Sequence, residues 1–152
     1  MITFFKYFTP RIALFMLIVM FACSAPTENS AGVRNENTMK ANVIEVLDFH
    51  GKHRCESCLA IEANTRKTLE TYYDDELKSN KIEFHVIDIE KPENEALADS
   101  YKVFGTALFI NVIKDGKQKP IDMTNYAFKT GMEYPVFSAG LREELDKQLA
   151  LF

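Results

Sequence analysis

Residues 49–73 read FHGKHRCESCLAIEANTRKTLETYY and set two cysteines, Cys55 and Cys58, at a junction. Before the junction lies NVIEVLDF, residues 42–49, which alternates and is rich in β-branched and apolar side chains, so it predicts a strand. After it, Cys58, Ile61, Thr65, Leu69, Tyr72 or Tyr73, and Leu77 recur at helical steps, and Glu62 and Arg66 form a favourable i,i+4 pair. A cysteine at a helix start has a physical advantage. Unpaired backbone N–H groups and the helix dipole favour its thiolate. The second cysteine, one turn on, is near enough to close a small disulfide ring. Lys52, His53 and Arg54 crowd Cys55 and favour its anion, while Glu56 opposes it. This arrangement predicts an exposed attacking thiol, Cys55, and a shielded resolving thiol, Cys58. An inert staple is the blander alternative, although a bridge closing so short a loop stabilises little.

Further along, IEFHVIDI (82–89) predicts a second strand, KPENEALADSYKVFG (91–105) a helix with Leu97 and Tyr101 on one face and its stop at Gly105, and ALFINVI (107–113) a third strand. KDGK is a tight turn into a short fourth strand at PIDM, residues 120–123. TNYAFKTGMEYP carries no clear period and is expected to be a helical turn and loop. The last segment, residues 138–152, places Leu141, Leu145, Leu149 and Phe152 in one stripe. The order β-α-β-α-β-β-α requires a parallel first pair, joined by a crossover, and a closing antiparallel hairpin. It predicts an α/β mixed sheet covered by helices on both faces.

With strand, short loop, CESC and helix in that order, residues 41–152 resemble the thioredoxin-like family. LDF before the loop, DIEKPENEALADSYKVFGTALFI, the KDGK hairpin and the final helix extend the likeness over the whole segment. The resemblance implies a three-layer sandwich on a mixed four-stranded sheet and dithiol–disulfide exchange at Cys55 and Cys58. It implies that Asp48 is the family's buried acid, relaying protons to the resolving cysteine. His53 and Arg54, by position and charge, are expected to tune Cys55. Two departures stand out. Arg54 replaces the family's aromatic residue before the first cysteine. Thr106 or Ala107 stands in the substrate-facing loop where the family has a cis-proline that orients substrate and excludes metal.

That second departure opens a competing reading. His50, His53, Cys55 and Cys58 fall within nine residues and offer two imidazoles and two thiolates to zinc or Cu(I). A metal chaperone and a redox-inactive interaction module are therefore the alternatives. The redox reading needs no bound cofactor. It needs protein thiols or disulfides as partners, and an oxidoreductase to recycle the pair.

The N-terminus bears on the compartment. Lys6 and Arg11 precede IALFMLIVMFA, an apolar run too short to span a bilayer but suited to a secretion signal. The following Ala22-Cys23, with Met20 where leucine is commonest, resembles the lipobox of bacterial lipoproteins. That resemblance implies a signal peptide over residues 1–22, lipidation of Cys23 and a location in the cell envelope facing the periplasm. Residues 23–40 then form a lipidated, flexible tether rich in Ser, Thr and Asn. Removing residues 1–22 lowers Lys+Arg from 18 to 16 against 22 Asp+Glu, so the net charge moves from -4 to -6. Such a chain is a poor match for nucleic acid or for direct docking on anionic lipid. If Cys23 is acylated, Cys55 and Cys58 have only each other as partners within the chain.

Overall fold

The structure, a computed structural model, describes residues 42–152. The readings for the signal peptide, Cys23 and the tether lie outside the described residues. Strand β1 (Val43–His50) leads to helices α1 (Glu56–Tyr72) and α2 (Asp74–Lys78), then to β2 (Ile82–Asp88). A 3₁₀ turn at Pro92–Asn94 opens α3 (Glu95–Tyr101). The hairpin β3 (Ala107–Lys114) and β4 (Lys117–Asp122) precedes α4 (Thr124–Thr130) and α5 (Tyr134–Leu149). The strands lie in the order β2-β1-β3-β4. β1 is parallel to β2 and antiparallel to β3, so the crossover and the hairpin fall where the sequence order requires them. This is a thioredoxin-like α/β fold.

The alternation of β1 divides the core. Ile44 and Val46 join Ile61 and Leu69 of α1 and Phe137, Leu141 and Leu145 of α5 in the larger cluster. Leu47 and Phe49 point to the other face, with Ile87, Val103, Ala107 and Phe109, and with Tyr101 packed against them. There Phe49, Tyr101 and Phe109 form an aromatic triad, with ring centroids 5.1–6.0 Å apart. The triad is tilted to edge-on, the arrangement ring quadrupoles favour. It fixes the C-terminal end of β1, from which the cysteine loop departs.

Several local expectations change. The helical period runs past Tyr73, but the helix breaks there. Tyr73 leaves helical geometry, and its buried phenol donates to Asp146 Oδ1 at 2.6 Å on α5. α3 stops at Lys102, in the left-handed region with φ 55°, rather than at Gly105. Ala98 is the buried residue of α3, and Leu97 is exposed. Asp115 and Gly116, both at positive φ, make the two-residue turn that suits the twist of a hairpin. β4 is longer than PIDM and exposes Lys117, Lys119 and Pro120.

The segment expected to be a turn and loop forms α4 and the first turn of α5. Tyr126 ties the two together, its hydroxyl donating to Val136 O at 2.5 Å and accepting from Gly140 N at 3.2 Å. A Cβ at Gly140 would lie 2.2 Å from that hydroxyl oxygen, whereas one at Gly105 meets nothing within 4 Å. Gly140→Ala is therefore expected to cost about 1–3 kcal/mol by overpacking. Gly105→Ala should be neutral or slightly stabilising. Urea denaturation of both variants checks the contrast.

Candidate active site

The site is built where β1 ends. Gly51 to Arg54 form a short loop held at its base, where Lys52 N donates to Glu90 Oε1 at 2.8 Å and Glu90 N donates to Asp88 Oδ1 at 3.0 Å. Cys55 is the N-cap of α1, and its sulfur accepts from Cys58 N at 3.1 Å. The chain thus presents the first sulfur to the orphan N–H groups of a helix start, the setting that stabilises a thiolate. Cys55 and Cys58 are joined as a disulfide with Cα atoms 5.0 Å apart. Cys55 is exposed and Cys58 is 6% exposed. One sulfur can be reached by a second polypeptide and the other is sheltered behind it.

A row of charges is built around Arg54, the residue before the pair. Asp48 projects from β1 and is fully buried, and neither of its oxygens has a hydrogen-bond partner. Burial pushes its pKa from 3.8 up to about 7, against the pull of Arg54 and with a smaller push from Glu62. Arg54 lies between the two acids. Its Nη1 donates to Glu62 Oε2 at 2.5 Å, while Nη2 stands 3.7 Å from Asp48 Oδ2, too far for a hydrogen bond. Glu62 also accepts from Arg66 at 3.3 Å, the i,i+4 pair visible in the sequence. Burial works to raise the Glu62 pKa, but the hydrogen bonds from Arg54 and Arg66 outweigh it and hold the carboxyl below its usual range.

The other candidates are placed as follows. His53 is exposed, as is Lys52. Ala107 pairs with Phe49 across the sheet, so Thr106 and the loop before it lie at the same sheet end as the cysteine loop. No peptide bond among the described residues is cis. A shallow groove of about 460 Å³ runs along this loop, lined by Tyr101, Phe104, Thr106, Asp122 and Thr124. Phe104 is 90% exposed. The sequence reading passed over it, although an aromatic residue stranded just before Gly105 and outside any period was a signal. The Arg54–Glu62 contact, eight residues apart, was missed because it joins a loop to a helix flank and follows no helical step.

For the metal reading, the disulfide occupies both sulfurs, and His50 Nδ1 lies 3.0 Å from Gly51 O. Among the described residues, the group bringing three donor atoms within 4.8 Å of one another is Glu45, Glu83 and His85, not the four residues around the cysteines.

No family model matches the chain, and no curated protein matches it. Among solved structures it is similar to a malarial protein, with 20% identity over 59% of this chain and 96% of the other and a TM-score of 0.38. It is also similar to thioredoxin-2, a component of the malaria parasite protein secretion machinery, with 22% identity over 53% and 70% of the two chains and a TM-score of 0.39. A thioredoxin from Thermus thermophilus shows 20% identity over 52% and 58%, with a TM-score of 0.35.

Proposed function

We propose that the chain is a thiol–disulfide oxidoreductase that exchanges disulfides with protein partners through Cys55 and Cys58. In this reading it is held by a lipid on Cys23 at a bacterial membrane, faces the periplasm and is recycled by another oxidoreductase. The observation that carries the exchange chemistry is the unequal placement of the two sulfurs, with exposed Cys55 capping α1 and buried Cys58 one turn behind. An attacking thiolate needs access and charge stabilisation, and a resolving thiol needs shelter and proximity. A staple requires neither asymmetry. The envelope location rests on the charge, length and cleavage pattern of residues 1–23. In an oxidising compartment the pair would rest as the disulfide. A lipid with two or more chains, each buried CH₂ contributing about 0.8 kcal/mol, would make the tether durable.

Thiol trapping tests the exchange. The protein should gain two alkylatable thiols after dithiothreitol and lose both reversibly in glutathione disulfide, with a measurable reduction potential. Cys58→Ser should trap Cys55 as a mixed disulfide with partner proteins in cells, visible as reducible high-mass bands. Their absence, together with a pair that cannot be reduced without denaturant, would show a structural bridge. Incorporation of labelled palmitate that is lost in Cys23→Ala tests the anchor.

A further inference from the structure

Arg54 carries its charge into the buried region around Asp48 and is shared unequally between two acids. We propose that Arg54 and Glu62 form a charged cap over Asp48 that governs proton traffic between this acid and the cysteine pair. Arg54 is then a positioning residue that acts through Asp48. The inference rests on the exchange reading above and adds a regulator to it.

The geometry is that of a poised contact. Arg54 is 19% exposed, and its Nε and Nη2 are buried with no hydrogen-bond partner. Both oxygens of Asp48, 3.7 Å away at the nearest, are equally without one. Orphan donors thus face orphan acceptors, while Glu62 holds the guanidinium from the outer side at 2.5 Å. Buried groups left in this state are costly, so a small movement has a large return. If Arg54 closes the gap, the Asp48 carboxylate is held ionised and can accept a proton. If Arg54 withdraws towards Glu62, Asp48 keeps its proton and can donate it. The charged groups acting on Asp48 are Arg54 from the loop and Glu62 and Arg66 from α1. Its register neighbours, Val86 on β2 and Leu108 on β3, are apolar. Asp88, two residues along β2, has an oxygen committed to Glu90 N.

With glutathione disulfide as oxidant, the reduced Cys55 thiolate attacks one glutathione sulfur. The glutathione disulfide bond breaks, a Cys55–glutathione mixed disulfide forms, and one glutathione thiolate leaves. Cys58 gives its proton to the Asp48 carboxylate and attacks the Cys55 sulfur. The mixed disulfide breaks, the second glutathione thiolate leaves, and the Cys55–Cys58 bond forms. The protein dithiol is oxidised by two electrons and glutathione disulfide is reduced by two. The cap sets the pH at which Asp48 is ready to take that proton.

Two measurements on the full-length protein test this: the ¹³C titration of the Asp48 carboxyl in the oxidised form, and the pH–rate profile of oxidation by glutathione disulfide. Arg54→Gln removes the charge, and with it the Nη1 bond to Glu62, while leaving a shorter, neutral, polar side chain. It should move the Asp48 midpoint up by about 1 pH unit or more and shift the rate profile in the same direction. Glu62→Gln removes a repelling charge and frees Arg54 to turn inward, so it should move the midpoint down. Arg54→Lys should restore most of the wild-type profile. In an Asp48→Asn background, Arg54→Gln should leave the shape of the profile unchanged. A merely structural Arg54 would not give opposite shifts in the first two variants. Midpoints that stay put, or move together, overturn the cap. A wild-type pair inert to glutathione disulfide overturns the exchange reading and the catalytic part of the cap with it. Normal exchange with an unmoved profile overturns the cap alone.

Discussion

Asp48→Asn is expected to stabilise the oxidised protein by about 4 kcal/mol at pH 8 and by only about 0.5 kcal/mol at pH 4. The native carboxyl titrates near 7 rather than at its ordinary 3.8, because burial disfavours the charged form more than Arg54 favours it. Between those two values the folded protein holds a proton that the unfolded chain has released. The native state therefore binds more protons in that window, and stability falls as pH rises through it. Below about 3.8 the acid is neutral in both states and costs nothing on this account. Above about 7 the whole penalty is present, at about 1.36 kcal/mol for each unit of displacement. Asparagine is nearly the same size and never ionises, so it removes the penalty and flattens this part of the pH dependence. Denaturant midpoints of wild type and variant at pH 4, 6 and 8 supply the comparison. A gain of equal size at all three would mean that hydrogen bonding, not ionisation, separates the two side chains. An acid placed where its charge costs stability agrees with a proton-handling role for Asp48.

The second large effect is expected at Phe49. Its ring is fully buried between Tyr101 of α3 and Phe109 of β3, with centroids 5.4 and 6.0 Å away. Phe49→Ala should cost about 3–5 kcal/mol, the sum of lost transfer energy and an unfilled cavity. The damage should not be evenly spread. α3 has a single buried residue, Ala98, and depends on Tyr101 to seat it, so its amides should lose hydrogen-exchange protection before those of α1 and α5. Uniform loss across the three helices would show that the two faces of the sheet fail as one unit.

Much of the fold was legible because its decisive signals are local. The alternation of 42–49, the cysteines at the start of a 3.6-residue period and the Asp-Gly hairpin all act over a few residues. Together they forced the parallel crossover and the antiparallel return. What escaped depends on contacts far along the chain. The period through Tyr73 was correct as a burial pattern but wrong as a single helix, since the break is stabilised by Asp146, 73 residues away. α4 has seven residues, too few to show an apolar stripe. The stop of α3 used a left-handed lysine where a glycine lay three residues on.

At the site, the strand–CESC–helix context pointed to the two cysteines. Asp48 was found as an acid inside an apolar strand, through its resemblance to a family position. Arg54 was read as a neighbour of Cys55 because sequence proximity suggested it. Its guanidinium instead turns to Glu62, and no spacing rule joins a loop residue to the second turn of the helix that follows.

Among the described residues the sheet ends in two edge strands, β2 and β4, and β4 reads KQKPID. A bare rim invites a strand from another molecule to continue the ladder, the first step towards clumping. Here Lys117 and Lys119 would set like charges against each other in a self-paired rim, and Pro120 has no N–H to donate. Wherever copies of this domain crowd together, the lysines and proline of this strand set neighbours against zipping together along it.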